Sequence, residues 1–222
     1  EVVPHIPMEV MRRIELAQRE AKADVTLIEI GGTVGEYQNM LFLEAARMMK
    51  IKHPKDVFFV MVSYLPVPSK VGEMKTKPTQ SAVRTLNASG IQPDIIMARA
   101  ETHLDAKRKE KLSMFCNVPS DRIISAPDVE SIYDVPLNFE KEKLGDLLCS
   151  IMGTTCSRKE TPQTKKWKEF VKKVHTAKDE VRIAVIGKYF ETGEFLLSDA
   201  YLSVIEAIKY SAFWENKKAK ID

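Results

Sequence analysis

The chain is 222 residues long and 44% hydrophobic, which is enough to bury one substantial core and part of a second domain. Lys and Arg outnumber Asp and Glu by only 34 to 31, and this near balance argues against a nucleic-acid partner. No apolar run approaches the roughly 20 residues that span a bilayer, and the first residues lack a signal-peptide pattern, so we expect a soluble, cytoplasmic protein without a membrane partner.

Helices and strands alternate through the first part of the chain. Residues 8–22 carry apolar side chains at helical spacing, and residues 25–30 are an apolar run ended by two glycines, which is typical of a buried strand. The pattern continues with a helix at 41–51, a strand at 57–64, a helix at 78–88, a strand at 94–98, a helix at 107–115 and a strand at 122–125. This alternation predicts an α/β domain whose parallel sheet is covered by helices on both faces.

The composition changes after a helix predicted at 137–151. Residues 153–166 hold threonine, charged residues and a proline but little to bury, which is typical of a linker. A short helix is predicted at 167–175, a strand at 181–187 and a helix at 199–213. One strand and one helix cannot bury an independent core, so we interpret 1–153 as one domain, 154–180 as a linker and 181–222 as the opening of a further domain.

The cysteines give no sign of a metal site. Cys116, Cys149 and Cys156 are odd in number and form neither a CxxC pair nor a cluster with histidines. We therefore predict that the chain has no disulfide framework and no zinc site. We also predict that the protein works in a reducing compartment.

The segment 72–80, Gly-Glu-Met-Lys-Thr-Lys-Pro-Thr-Gln, is the first candidate for a binding site. Its two lysines stand just before a predicted helix start, so their ammonium groups and the free backbone N–H groups can converge on one phosphate. Thr76, Thr79 and Gln80 add neutral donors and acceptors that suit a sugar or a base edge. A solvent-exposed basic turn capped by proline has the same composition, and spacing alone does not separate the two interpretations.

The segment 29–36, Glu-Ile-Gly-Gly-Thr-Val-Gly-Glu, is the second candidate. A carboxylate near the end of a buried strand is costly unless it is paired or binds a metal, and Mg²⁺ in phosphate sites uses one or two such ligands. We therefore consider Glu29 a candidate metal ligand, although glycines in this arrangement often mark only a tight turn. Lys111 lies in a charged helix, where composition alone favours a solvated face.

These residues closely resemble the signatures of the CTP synthase family. The segments 28–35 and 72–80 carry the resemblance, and further similar segments follow in the same order at 3–6, 90–94, 111–118, 128–133 and 186–189. The family combines an amidoligase domain of P-loop ancestry, a linker and a class I glutamine amidotransferase domain. The resemblance therefore implies an incomplete parallel-sheet amidoligase domain, a linker and the first strand and helix of the amidotransferase domain.

The resemblance also implies an activity and a set of ligands. ATP phosphorylates the uracil O4 of UTP, and ammonia released from glutamine displaces that phosphate to give CTP, in an enzyme that is a Mg²⁺-dependent homotetramer. Glu29 matches a magnesium ligand, and Asp128 and Val129 match a stretch that contacts the ATP base. The positions that match UTP or CTP binding are Lys75, Thr76, Lys77, Pro78, Thr79, Gln80 and Lys111.

Two departures from the family pattern affect these implications. Glu36, Tyr37 and Gln38 stand where many relatives carry Asp-Ile-Glu for feedback binding of CTP, and Pro127 replaces a polar or basic residue before the Asp-Val pair. Glu36 keeps the negative charge, so feedback by CTP remains an expectation.

Other motifs of the complete reaction do not occur in this sequence. It contains no G-x-x-x-x-G-K-[ST] phosphate loop and no cysteine on a glycine-flanked elbow. We expect an internal piece of a CTP synthase that supplies UTP/CTP and magnesium binding and is inactive alone. The alternatives are a non-catalytic nucleotide-binding or assembly module and, more remotely, a P-loop relative acting on carboxylates such as dethiobiotin synthetase.

Overall fold

The computed structural model describes residues 1–69, 72–155, 160–188, 191–192, 195–196 and 201–222. They form two compact units, Glu1–Val129 with Asn138–Cys156, and Glu130–Leu137 with Ser157–Asp222. The helices are α1 (Val2–Ala21), α2 (Met40–Lys52), α3 (Lys77–Ala88), α4 (Ala106–Cys116), α5 (Val135–Lys141), α6 (Leu144–Ile151), α7 (Pro162–Thr176) and α8 (Leu202–Trp214). The strands are β1 (Val60–Tyr64), β2 (Ile95–Ala100), β3 (Ile123–Pro127), β4 (Asp179–Ile183), β5 (Glu191–Thr192), β6 (Phe195–Leu196) and β7 (Lys217–Ile221).

A parallel sheet of three strands, in the order β1-β2-β3, organises the first unit. Val60 lies opposite Ile95 in the pairing of β1 with β2, and Ile96 lies opposite Ile123 in the pairing of β2 with β3. The central strand is buried on both faces, as near-continuous apolar composition predicts for a parallel strand. The hydrophobic core around this sheet contains Val83 and Leu86 from α3 and Leu112 and Cys116 from α4. The mixed α/β fold with a parallel sheet is therefore confirmed.

The prediction of a strand at 25–30 is wrong, because these residues form no strand in the structure. Leu27 is 93% exposed and Ile28 is 51% exposed, so most of the apolar run lies in solvent, although Ile30 packs partly buried against the core. A parallel strand is stable only with a neighbour that satisfies its backbone N–H and C=O groups. The hydrophobic composition of a segment indicates that it can be buried. It does not show whether a neighbouring strand is available to pair with it.

Two predicted helices have different bounds in the structure. The long helix predicted at 137–151 is divided into α5 and α6 by Lys143, whose φ of 57° is left-handed and ends a helix. The first helix begins earlier than predicted and contains Pro7, with a non-helical Val3 near its start. The other helices and strands predicted in the first unit appear with shifts of a few residues at their ends.

In its described residues, the second unit contains α7, α8, a pair of parallel strands and the antiparallel pair β5-β6. β4 pairs with β7, with Asp179 opposite Lys217, and α8 lies between these strands in sequence. β7 was not predicted, because its sequence, Lys-Lys-Ala-Lys-Ile, has too little apolar character to suggest a strand. The predicted short helix at 167–175 is confirmed as part of α7.

The cysteine prediction is corrected at one position. Cys149, on α6, is disulfide-bonded, contrary to the expectation that the cysteines remain reduced. Cys116 is free and buried, and its burial raises the pKa of the thiol. Within the part of the chain that the structure describes, no helix is both long enough and apolar enough to cross a membrane.

Candidate functional site

The candidate site lies where the three parallel strands of the first unit end. β1 leads towards residues 72–80, which are called the lysine segment, β2 leads towards α4, and β3 leads into Asp128. Backbone hydrogen bonds join these exits: the N–H of Leu65 donates to the carbonyl of Arg99 at 2.7 Å, and the N–H of Asp128 donates to the carbonyl of Ala100 at 2.8 Å. In open parallel sheets this edge is where ligands bind, because the loops converge there.

The lysine segment is held in place by its backbone. The N–H of Lys75 donates to the carbonyl of Pro66 at 2.9 Å, and Met74 is 7% exposed. α3 then begins at Lys77 with Pro78 in its first turn, where a missing N–H costs nothing. The Lys77 ammonium lies 6.0 Å from the centroid of the Phe115 ring on α4. The lysines therefore stand at a helix start, as predicted.

Three polar residues of the same segment are buried. Thr76 is 4% exposed, Thr79 is 0% and Gln80 is 1%. The Thr79 hydroxyl lies 2.9 Å from that of Ser63 on β1, and Gln80 Nε2 donates to Thr76 Oγ1 at 3.1 Å. Among the described residues, Gln80 Oε1 is a buried atom without a hydrogen-bond partner. A buried acceptor without a partner is costly, and this one lies in the first turn of α3.

Three cations, Lys75, Arg108 and Lys111, act on the carboxylate of Glu73 and are called the cationic cluster. The Lys75 ammonium donates to Glu73 Oε2 at 2.8 Å, and Arg108 Nη2 lies 3.8 Å from Glu73 Oε1. The hydrogen bond from Lys75 is the largest cause that lowers the pKa of Glu73, and the charges of Arg108 and Lys111 act in the same direction. Lys111 is therefore near enough for its charge to act on Glu73, although Lys111 is 38 residues further along the chain.

Arg108 is the residue that sequence reasoning missed. Its backbone N–H donates to Oδ1 of Asp105 at 2.7 Å, which caps α4, and its guanidinium pairs with the same carboxylate. Its Nε also donates to the carbonyl of Met74 at 3.4 Å, which ties α4 to the lysine segment. The available signal was its spacing, because residues three apart on a helix share a face and Lys111 follows Arg108 at that interval.

Asp128 and Val129 lie just beyond the end of β3. Asp128 is exposed, and Arg99 Nη2 donates to its Oδ1 at 2.8 Å. The other nitrogen of this guanidinium, Nη1, donates to the carbonyls of Ala126 at 2.9 Å and Pro127 at 3.0 Å. Arg99 thus fixes the path of the chain as it leaves the strand, which holds Asp128 at the same edge of the sheet as the lysines.

The residues predicted for feedback binding lie elsewhere on the unit. Tyr37 is 90% exposed, and Gln38 Nε2 donates to Glu36 Oε2 at 2.9 Å. The preceding Gly35 lies against Thr85 of α3, which is about 12 Å along the helix axis from Lys77 at 1.5 Å per residue. Glu36, Tyr37 and Gln38 are therefore placed beside the second half of α3 and not beside its lysines.

Glu29 is placed differently from the sequence argument. It is exposed and lies outside any helix or strand, so the expected burial of its carboxylate is wrong. Across the described ranges, no group of three or more His, Cys, Asp or Glu side chains could hold a metal ion. Mg²⁺ in nucleotide sites takes one or two carboxylates and completes its shell with phosphate and water, so a single exposed carboxylate fits as one ligand.

Residues 1–154 match the family model described as the CTP synthase N-terminus. The chain belongs to the CTP synthase family. It is 45% identical to the CTP synthase of Thermococcus gammatolerans and 45% identical to that of Thermococcus kodakarensis, each over 222 residues. It is 40% identical to that of Symbiobacterium thermophilum over 223 residues. The alignments cover 100% of this chain, which spans about 40% of the length of these relatives.

Membership in the CTP synthase family confirms the resemblance drawn from the sequence motifs. The matched region ends at residue 154, close to the end of α6 at Ile151. The family match thus covers the lysine segment, the cationic cluster, Asp128 and Val129. The roles of these residues remain predictions.

Proposed function

We propose that this chain takes part in CTP synthesis, as the UTP-binding portion of a ligase that aminates UTP. The observation that carries the proposal is the convergence of Lys75, Arg108 and Lys111 at the carboxyl edge of the sheet, beside the helix start at Lys77. Several cations and a helix N-terminus suit a triphosphate, because each adds favourable charge where the phosphate oxygens would lie. The relatives named CTP synthase provide the reaction in which such a ligand is consumed or formed.

The segment from Lys75 to Gln80, together with Lys111, would bind UTP as substrate or CTP as product. Lys75, Lys77 and Lys111 would neutralise phosphate oxygens, with Pro78 shaping the helix start. Gln80 Oε1 would accept a hydrogen bond from the bound nucleotide, which supplies the partner that this oxygen lacks among the described residues. Thr79 is bonded to Ser63, so its contribution would be to hold α3 against β1.

ATP is proposed as the second nucleotide of the reaction. Asp128 and Val129 would contact its base, with Arg99 as the residue that holds Asp128 in position. Glu29 would supply one ligand to Mg²⁺, which balances phosphate charge when it is bound. Glu36, Tyr37 and Gln38 would take part in feedback binding of CTP, and their distance from the lysines favours a contribution to a site formed with another subunit of a homotetramer.

Glutamine is proposed as the nitrogen donor. Residues 181–222 would open the glutamine amidotransferase domain, and the parallel pair β4 and β7 with α8 between them suits the start of an α/β domain. Because the chain spans about 40% of its relatives' length, turnover is proposed for the longer enzyme and nucleotide binding for these residues.

The test of this proposal is a calorimetric titration with UTP and with CTP in the presence of Mg²⁺. The chain is compared with a Lys75→Ala, Lys77→Ala double variant. We expect saturable binding to the unmodified chain and at least about 100-fold weaker binding to the variant. The variant loses two cations, and each hydrogen bond between charged groups contributes roughly 1.5–3 kcal/mol.

A Lys165→Ala, Lys166→Ala double variant is the matched control, since both lysines are exposed on α7 and the change in charge is the same. Equal loss of affinity in both variants would show only a general charge effect. A folded chain that binds neither nucleotide would overturn the assignment of the triphosphate site to these residues.

A further inference from the structure

Glu73 places a negative charge within the group of cations that is proposed to bind phosphate. One carboxylate oxygen accepts from Lys75 at 2.8 Å, and the other faces Arg108 at 3.8 Å. Lys111 is also close enough for its charge to act on Glu73. The carboxylate therefore lies where an oxygen of a bound phosphate would make its contacts.

A contribution to stability does not account for this arrangement. The side chain of Glu73 is 57% exposed and that of Lys75 is 38% exposed. Ion pairs with this exposure are screened by water and contribute little to the stability of a fold. The neighbouring chain is already fixed by the burial of Met74 and by the backbone bond of Lys75 to Pro66, so it does not require the carboxylate.

We propose that Glu73 is a resident counter-anion, whose carboxylate occupies the cationic cluster in the free protein and is displaced by the triphosphate of the pyrimidine nucleotide. This inference rests on the proposed function, because it assumes that the cluster binds the nucleotide. The fixed positions of Met74 and Lys75 allow the exchange, since only the exposed Glu73 side chain has to move away. No covalent step is involved.

The displacement has a consequence for which anions bind. In the free protein, Glu73 reduces the repulsion among the cations and keeps their donors directed to one point. A ligand must therefore compete with an intramolecular carboxylate that is always present. A weakly charged anion gains too little binding energy to displace the carboxylate. A triphosphate contacts several cations at once and replaces all the contacts that they made with Glu73.

The experiment compares the chain with its Glu73→Gln variant, which keeps the shape of the side chain and removes its charge. Affinities for UTP, for CTP and for inorganic tripolyphosphate are measured by calorimetry at low ionic strength. We expect the variant to bind all three ligands about three- to tenfold more tightly. Glu73 pairs with two cations, Lys75 and Arg108, and each exposed ion pair typically changes an equilibrium by roughly 1.4- to 5-fold. The difference should decrease at high salt.

Asp121→Asn is the control, because Asp121 is exposed at the opposite end of β3 and the variant loses the same charge. Equal affinities of the Glu73→Gln variant and the unmodified chain would overturn the displacement and leave the nucleotide site intact. Equal tightening by both variants would also overturn it, as a general effect of net charge. No binding of UTP, CTP or tripolyphosphate by any of the three proteins would overturn the proposed function itself, together with this inference.

Discussion

Gly35 is the residue through which the glycine-containing segment 29–36 contacts α3. Its φ is +95°, and a Cβ atom at this position would lie 2.9 Å from Cγ2 of Thr85. Both features favour glycine, since a side chain would strain the backbone and meet a helix that is packed on the core. The loop that carries Glu36, Tyr37 and Gln38 is thus positioned by a residue that has no side chain.

We predict that Gly35→Ala destabilises the first unit by about 1–3 kcal/mol, the usual cost of a side chain in such a strained conformation. Gly31→Ala is the matched control, because a Cβ atom at Gly31 would meet nothing within 4 Å. Urea unfolding followed by circular dichroism measures both. Equal stability of the two variants would show that the contact with Thr85 does not hold the loop.

At the scale of elements, α7 and α8 are joined by an aromatic cluster centred on Phe170. Phe170 is 3% exposed, and its ring centroid lies 4.6 Å from Tyr210, 5.1 Å from Tyr133 and 5.6 Å from Trp214. The Tyr133 hydroxyl donates to Glu206 on α8 at 3.2 Å, and burial raises the pKa of this phenol. Aromatic packing of this kind contributes beyond the area it buries.

We predict that Phe170→Ala destabilises the second unit by about 3–5 kcal/mol, the range found when a buried Phe is truncated. Tryptophan fluorescence is a direct readout, since the chain has 2 tryptophans and both Trp167 and Trp214 pack against Phe170. Phe42→Ala is the control, because Phe42 is 48% exposed on α2. If the thermal unfolding of Phe170→Ala, followed by tryptophan fluorescence, has the same midpoint as that of the unmodified chain, the central role of this ring is contradicted.

At the scale of the whole molecule, the described residues leave apolar surface uncovered in the first unit. Val60, Val62 and Tyr64 alternate along β1 and are 46%, 64% and 50% exposed, so one face of this strand is largely in solvent. β1 pairs with β2 alone among the strands that the structure describes, which leaves its other edge free. Exposed apolar strands with a free edge promote association between chains.

We predict that the 222-residue chain self-associates without reaching a fixed size as its concentration rises, and that Val62→Lys shifts this association to several-fold higher concentration. Ile186→Lys is the control, because Ile186 is 97% exposed in the second unit. Sedimentation velocity distinguishes open-ended association from a discrete tetramer. A soluble monomer that melts cooperatively at all concentrations would contradict the prediction.

The sequence alone determined the features that depend on local composition. Periodic apolar residues located α2, α3 and α4 and the three strands of the sheet, because burial of one helical face or of a whole strand imposes those patterns. Pro78 and the two lysines before it predicted that a helix begins here with two cations at its start, as it does at Lys77. The same motifs identified the CTP synthase family, which the family match confirms.

Only the tertiary structure decided which of these residues meet. It placed Arg108 next to Glu73, with the charge of Lys111 acting on the same carboxylate, and it buried Thr79 and Gln80. It also left the apolar run at 25–30 unpaired among the strands that the structure describes. No local pattern contains this information. Contacts between distant segments depend on how strands pair and helices pack, so whether a charged residue faces solvent or another charge is determined only in the folded chain.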